Sequence, residues 1–333
     1  MGYQTGTATG PTDLLDKLRV FLLAEGWTVN LYTANGTGYR LHVQKSASSS
    51  TEMYFNFRSA VDESGSLLTQ DNQDSADGKV TGIIINGSTG YNVAEDWDKQ
   101  TVYPLNLNYS NLACGNCMTQ MSISAIPAYY FFAVENTVNI CVEVTSGKFQ
   151  FMSFGCLEKQ GLYTGGQFYS ASFSSRTPYG DWNNGPSNWY QPSYFTVNPS
   201  GYPHGAVYVD MDSVADWRMA NNDAGEIAFP CVAGQTGNSD YSKSGMASMF
   251  WSKSPNFYNS LAAACPIYVF GKRSDDNYSL LGWPAGVRFL NCTNYSAGQE
   301  VVYGSDTWKI FRADSLNGDA LNQYCGFAFL KEA

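Results

Sequence analysis

The chain has 333 residues, with 19 lysine and arginine residues against 29 aspartate and glutamate residues, which gives a formal net charge of −10. Charged residues make up 14% of the chain, aromatic residues 15% and hydrophobic residues 44%. The acidic balance argues against a nucleic-acid binder that works by neutralising phosphates, and the large apolar share excludes a disordered chain.

The first 60 residues predict a small module that contains the one clear helix of the sequence. Residues 1–10 are rich in Gly and Thr and are typical of an extended arm or a flexible tail. A helix is expected over residues 12–25, with Thr12 as its N-cap and Gly26 directly after its end. Its apolar face is formed by residues at helical spacing, namely Leu14, Leu15, Leu18, Phe21 and Leu22.

Three antiparallel strands are expected to follow the helix and to complete this module. They show apolar and polar residues in alternation, over residues 27–32, 39–43 and 53–57. The pair Asn35-Gly36 predicts a hairpin turn between the first two strands. His42 has an apolar residue on each side, so it is expected on the opposite side of its strand, facing solvent or a partner.

Residues 61–333 predict a larger β-rich body that resembles a β-sandwich with long loops. The strongest β pattern is a meander over residues 128–154, in which Asn139 and Cys141 alternate with apolar residues and predict one apolar face. The region 160–205 is rich in Gly, Tyr, Trp, Asn and Pro and lacks periodicity, so we expect loops with aromatic anchors there. The expected fold class is therefore mainly β with minor α.

The eight cysteines are Cys114, Cys117, Cys141, Cys156, Cys231, Cys265, Cys292 and Cys325. A zinc ribbon needs two CxxC pairs, and only Cys114 and Cys117 form one, so no metal site is expected. Both buried thiols and structural disulfides, within or between subunits, fit the pattern. Cys141 is expected on the polar face of its strand, where its thiol could reach another chain or a second sheet. No leader of the secretory type opens the sequence, so disulfides are expected to form after release from a reducing cytosol.

The sequence contains no nucleophile elbow, Walker loop or zinc-protease helix, so we expect neither a catalytic residue nor a cofactor. Acidic residues beside tryptophans leave a sugar-cleaving site as one alternative, formed by Glu95, Asp96, Asp98, Asp210 and Asp212. Aromatic residues in the loop region suit either a glycan contact or a subunit interface, and the candidates are Trp182, Trp189, Tyr190 and Tyr194.

Several stretches of the sequence share the pattern of one family. Residues 7–27 combine a Gly/Thr arm with a helix of the form LLdkL..FL...GW, and strands ending in residues 53–58 follow. Further stretches of the same kind are residues 128–134, 161–168, 308–312 and 326–330. In these features the chain resembles virion structural proteins of tailed bacteriophages. Its eight cysteines are more than such a protein is expected to carry.

The resemblance implies a non-enzymatic neck, collar or tail-associated component that connects or sheathes other rings of the virion. The expected partners are copies of the chain in a symmetric ring and other neck, tail-sheath or tube proteins, without nucleic acid or membrane. Assembly is expected in the host cytoplasm, with disulfides as a further stabilisation. The alternative is a baseplate or tail-fibre protein that binds host-surface glycan through the aromatic loops.

Overall fold

The computed structural model describes residues 1–48, 51–61, 81–101, 117–118, 121, 124–170, 205–219, 227–228, 261–275, 277–312 and 325–333. Within these ranges the protein has twenty strands and one helix, arranged in three antiparallel sheets. The expectation of a mainly β protein with minor α is therefore confirmed. No helix in the described part of the chain is long and apolar enough to cross a membrane.

In chain order the elements are β1 (Gly2–Ala8), α1 (Pro11–Ala24), β2 (Thr28–Asn35), β3 (Gly38–Ser48), β4 (Thr51–Ala60), β5 (Gly82–Ser88), β6 (Cys117–Met118), β7 (Ile126–Val134), β8 (Thr137–Thr145), β9 (Lys148–Lys159), β10 (Gly165–Ser170), β11 (Gly205–Met211), β12 (Val214–Met219), β13 (Ile227–Ala228), β14 (Cys265–Pro266), β15 (Val269–Lys272), β16 (Tyr278–Pro284), β17 (Val287–Asn291), β18 (Gln299–Tyr303), β19 (Asp306–Arg312) and β20 (Cys325–Glu332).

The strands form an N-terminal, a central and a C-terminal sheet. The N-terminal sheet has the order β2-β3-β4-β5-β6, so the three predicted N-terminal strands are confirmed as a meander and β5 extends it. The central sheet has the order β1-β7-β8-β9-β10-β11-β12, and the end of β9 also pairs with β16, which continues to β15 and β13. The C-terminal sheet has the order β14-β17-β20-β19-β18.

Helix α1 begins one residue before the predicted start, with Pro11 in its first turn. The expectation of Thr12 as N-cap is wrong: the N-cap residue is Gly10, which makes no side-chain capping bond. Asp13 instead reaches back from the first turn, and its Oδ2 accepts a hydrogen bond from the backbone N–H of Thr9 at 2.8 Å. A proline at this position has no N–H to satisfy, and a carboxylate there suits the positive end of the helix.

The predicted apolar face of α1 is confirmed. Its buried residues are Pro11, Leu14, Leu15, Leu18, Phe21 and Leu22. Gly26, with φ +79°, follows the end of the helix as expected for a residue in the left-handed region. The helix contributes to a first core that it shares with the N-terminal sheet and one face of the central sheet. Trp27, Phe55 and Phe154 meet in this core, with ring centroids 5.0 to 5.9 Å apart.

The central sheet is buried on both of its faces, which differs from the single apolar face that the sequence predicts. Ile140 and its alternating neighbours face the first core. Cys141 faces a second core, formed with the C-terminal sheet around Phe151, Phe311 and Phe329. Cys141 is 0% exposed. Of the two contacts expected for its thiol, another chain or a second sheet, the structure shows the second sheet, because the C-terminal sheet covers the face that Cys141 occupies.

The segment expected as an extended arm is a strand of the chain's own sheet. Strand β1 pairs antiparallel with β7, from Gly2 opposite Ala133 to Ala8 opposite Ile126. Residues 1–8 therefore pair within the chain. The division of the chain at residue 60 stays a prediction; the pairs β1–β7 and β4–β5 both cross that position.

Candidate functional site

The outer face of the N-terminal sheet carries a layer of buried polar side chains. Along β3, β4 and β5 every second side chain points into the first core, and the side chains between them point away from it. We call the latter set the polar layer, and its members are Arg40, His42, Asn56, Arg58, Asn86 and Ser88. His42, Asn56, Arg58 and Asn86 are each no more than 2% exposed. The expectation that His42 faces solvent is therefore wrong.

The strand register places these residues in adjacent rows. His42 lies opposite Asn56, and Asn56 lies opposite Asn86, so the three form one row across β3, β4 and β5. Arg40 lies opposite Arg58 in the row beside it. Directly opposite residues have Cβ atoms only about 5 Å apart, so the polar groups form one connected cluster.

Residues 89–101, which we call the cap segment, lie against the polar layer. The side chain of Gln100 holds this segment together and is 1% exposed. Its Nε2 donates to the backbone oxygens of Asn92, Glu95 and Asp96 at 2.9 to 3.1 Å. Its Oε1 accepts from the backbone N–H of Asn92 at 2.7 Å. The cap segment is thus fixed by its own hydrogen bonds.

Asp96 attaches the cap segment to the sheet. Its carboxylate lies 3.3 Å from Nη1 of Arg40 and accepts a hydrogen bond from Nδ2 of Asn35 at 2.9 Å. Burial by itself would raise the pKa of Asp96, but bonds from the Trp97 N–H, Asn35 and Arg40 lower it below its ordinary value. This carboxylate, a candidate for sugar cleavage from sequence, is engaged in holding the cap segment in place.

His42 is held in one tautomer by the layer. Its Nδ1 lies 2.7 Å from Oδ1 of Asn56, while Nδ2 of Asn56 donates to Oγ of Ser88 at 3.0 Å. Because the Asn56 oxygen can only accept, His42 must donate from Nδ1, which leaves its Nε2 as an acceptor when the ring is neutral. Burial lowers the pKa of His42, Arg40 lowers it further, and the Asn56 bond and the Asp96 charge work in the opposite direction.

Unpartnered polar atoms concentrate in this cluster. Eleven buried side-chain nitrogen or oxygen atoms in the described ranges have no hydrogen-bond partner. Six of them belong to the polar layer and the cap segment: Arg40 Nε, His42 Nε2, Arg58 Nε, Asn86 Nδ2, Asn86 Oδ1 and Tyr91 OH. Buried polar groups are normally paired, so such a concentration marks a candidate binding site.

A shallow groove lies at the start of α1. It has a volume of about 410 Å³ and is lined by Thr9, Gly10, Thr12, Asp13, Asp16, Tyr32, Tyr39 and Val61. The rings of Tyr32 and Tyr39 stack with centroids 5.0 Å apart. Lys17 lies 3.2 Å from Asp13, and Arg19 lies 2.8 Å from Asp16, so both carboxylates of the groove already have cationic partners.

Another carboxylate considered from the sequence, that of Asp212, has structural partners as well. Asp212 follows β11 with φ +55° and accepts bonds from Arg273 and from the backbone N–H of Ser274. The Arg273 bond is the main cause that lowers the pKa of Asp212 to about 2. This carboxylate therefore links the β11–β12 turn to the segment after β15.

Four of the candidate cysteines have described side chains. Cys141, Cys156 and Cys265 are free thiols, of which Cys141 is buried and the other two are half-buried. Cys292 is buried in a third core beside the outer face of the C-terminal sheet. Cys117 and Cys325 lie on β6 and β20, with side chains outside the description, and Cys114 and Cys231 lie outside the described residues. Burial raises the pKa of Cys141, Cys156 and Cys265.

The four aromatic candidates, Trp182, Trp189, Tyr190 and Tyr194, all lie outside the described residues. Among the residues that are described, no three His, Cys, Asp or Glu side chains come together in a way that could hold a metal ion. The polar layer was missed from the sequence. The pattern that could have predicted it is the alternation of polar and apolar residues in β3, β4 and β5. This alternation places polar side chains on one face of three neighbouring strands.

No protein-family model matches the chain, and no curated protein matches it.

Proposed function

We propose that the chain is a non-enzymatic structural subunit of a tailed-phage particle, present in several copies near the neck, collar or tail. The resemblance of the N-terminal stretch to virion structural proteins motivates this assignment. The structural observation that supports it is a pair of edge strands that each present an exposed valine, because such edges suit contacts between subunits.

The two edge strands close the ends of two different sheets. Within the described ranges β12 pairs only with β11, and β18 pairs only with β19. Val214 on β12 is 51% exposed and Val302 on β18 is 58% exposed. An unpaired strand edge offers backbone N–H and C=O groups to another strand, and an exposed apolar side chain adds area to that contact. Two such edges on one chain would allow each copy to contact two neighbours.

The packing of the cores supports a mechanical role for the subunit. In the second core, the Phe132 and Phe329 rings stack at 5.1 Å, and Phe151 lies 5.8 Å from Phe329. Aromatic contacts therefore join the central and C-terminal sheets through their facing sides. Closely packed interiors transmit force with little deformation, which suits a component that connects other rings.

Disulfides between copies remain part of the proposal, but with fewer candidates. Cys141 is excluded by its complete burial, so Cys156 and Cys265 are the free described thiols that a neighbouring chain could approach. An image of the intact particle that resolves side chains tests this: continuous density between cysteines of neighbouring copies supports such bonds, and well-separated thiols contradict them.

The edge contacts are tested by sedimentation velocity of the purified chain and of the variants Val214→Lys and Val302→Lys. A lysine on an exposed edge keeps the fold but opposes strand pairing between chains. We expect the unaltered chain to form oligomers that grow with concentration, and each variant to shift towards smaller species.

Val93→Lys is the matched control, since Val93 is 64% exposed in the cap segment rather than on a strand edge. It should sediment like the unaltered chain. An unaltered chain that stays monomeric at every concentration, or edge variants that assemble as well as Val93→Lys, would contradict the edge contacts.

A further inference from the structure

Arg58 is a buried cation without a carboxylate partner among the residues that the structure describes. The residue is 2% exposed and forms no ion pair with any carboxylate of the described residues. Its Nη1 donates to the backbone oxygen of Ser59, and its Nε has no partner. Removing a guanidinium from water is costly unless charges and hydrogen bonds compensate it. A negatively charged group beside Arg58 would supply this compensation.

Arg40 adds a second positive charge beside Arg58 and so increases the need for a negative charge at this site. Arg40 lies directly opposite Arg58 in the register of β3 and β4. Like charges at opposed positions of two strands repel each other. Asp96 is the carboxylate that acts on both, through an ion pair with Arg40 and through its longer-range charge on Arg58. Among the described residues, two guanidinium groups thus share one carboxylate, so one of the two positive charges has no counterion there.

The unpartnered atoms are mainly donors, which indicates the chemistry of a group that would pair with them. Arg40 Nε, Arg58 Nε and Asn86 Nδ2 carry N–H groups and can only donate. The hydroxyl of Tyr91 can donate as well. An oxyanion accepts several such bonds at once, and planar guanidinium groups match its oxygens in pairs.

The hairpin turn before β3 leaves room for the Arg58 guanidinium. Gly36 has φ +58°, and a Cβ added there would lie 3.3 Å from Nη2 of Arg58. A larger residue at this turn would press on the guanidinium group. The sequence Asn35-Gly36 therefore serves the hairpin and also keeps the arginine side of the polar layer uncrowded.

We propose that the polar layer is a binding site for one small oxyanion of the phosphate or carboxylate class, held between Arg40 and Arg58 beneath the cap segment. A single negative charge there balances the second guanidinium. Asn86 and Tyr91 complete the set of donors around it. Because these atoms are shielded from solvent, the anion enters when the cap segment separates from the sheet. The inference is independent of the assignment to a phage particle.

Thermal unfolding in increasing phosphate, with ionic strength kept constant by sodium chloride, tests the site. A ligand that binds only the folded state raises Tm with concentration. We expect the Tm of the unaltered chain to rise with phosphate, or with acetate in a parallel series. The variant Arg58→Met, which keeps the length of the side chain and removes its charge, should lose this rise.

Arg273→Met is the matched control, because Arg273 is an exposed arginine paired with Asp212 on another sheet edge. It should keep the full dependence on the anion. Equal rises in Arg58→Met and Arg273→Met, or no rise with either anion in the unaltered chain, would overturn the proposal.

A calorimetric titration of phosphate and of acetate into the unaltered chain tests the site without relying on Arg58→Met. We expect heat that saturates at one anion per chain, with binding at least tenfold weaker in Arg40→Met. An absence of saturable heat with both anions, or the same affinity in Arg40→Met, would overturn the site.

Discussion

Cys141 and His42 occupy equivalent positions, each on the side of a strand that faces away from the first core. Both are buried, at 0% and 1% exposure. Cys141 is covered by the C-terminal sheet, while His42 is covered at the polar layer, where the ring of Tyr91 lies 5.2 Å away. Burial strongly raises the pKa of Cys141, with the charge of Glu143 as a second cause. Its thiol is therefore protonated and shielded, and suited to packing rather than cross-linking.

The neutral state of His42 predicts a dependence of stability on pH. The folded protein has a His42 pKa below its ordinary value, because burial and Arg40 disfavour the charged ring. In the unfolded chain the ring titrates near pH 6.5, so below that pH the unfolded state binds more protons. The free energy of unfolding should therefore fall on acidification, by at most about 1.4 kcal/mol per pH unit, until the folded-state pKa is reached.

Denaturant unfolding of the unaltered chain and of His42→Asn between pH 7.5 and pH 5.5 measures this effect. The difference in stability between the two should change as the pH falls, in favour of the variant. A difference that is constant over the whole range would show that His42 takes up its proton equally in both states.

For single residues, the sequence predicts which side of a strand they occupy but not what covers that side. Alternation in β3 and β8 correctly separates the two sides of each strand. It does not show what covers the second side, because that depends on strands distant in sequence. His42 was consequently expected to face solvent or a partner, and Cys141 to reach either another chain or a second sheet. The unpartnered Nε of Arg58 could likewise not be predicted without the register of β3, β4 and β5.

At the scale of elements, β9 lies in the central sheet and contributes side chains to both of the cores that flank this sheet. It pairs with β8, β10 and β16 along its length. Phe154 projects from it into the first core, within 5.0 to 5.5 Å of the rings of Trp27, Phe55 and Phe57. Phe151 projects from its opposite side into the second core.

Phe154→Ala should therefore be among the most destabilising single substitutions. Phe154 is 0% exposed, and its loss leaves a cavity among three aromatic rings. Replacement of a buried phenylalanine by alanine costs about 3–5 kcal/mol of stability. Chemical denaturation measures this change. Leu162→Ala, at a fully exposed leucine, is the control and should change stability by less than about 0.5 kcal/mol. If Phe154→Ala also changed stability by less than about 0.5 kcal/mol, this result would contradict the packing of β9.

Elements with a strong local pattern were predicted well. Helix α1 and the strands β2, β3 and β4 follow from periodicity and from turn residues close in sequence. The cap of α1 was not predicted, because the bond from the backbone of Thr9 to Asp13 depends on the chain direction before the helix. The partner of β1 was not predicted either, since β7 lies more than one hundred residues away.

At the scale of the whole molecule, the protein is layered. The N-terminal sheet and α1 pack on one face of the central sheet, and the C-terminal sheet packs on the other. Three cores are therefore stacked across the described part of the chain, the third beyond the C-terminal sheet. The low share of charged residues fits a surface that neighbours cover in an assembly. The mainly β class followed from the sequence, whereas the stacking did not, because it depends on which strands pair.

Electron cryo-microscopy of tailed-phage particles purified from a host that produces this chain tests the central proposal most directly. The account predicts several symmetric copies of the layered fold in the neck, collar or tail, with β12 or β18 at the contacts between subunits. Particles that lack the chain, or that carry it with both of these edges facing solvent, would contradict the account.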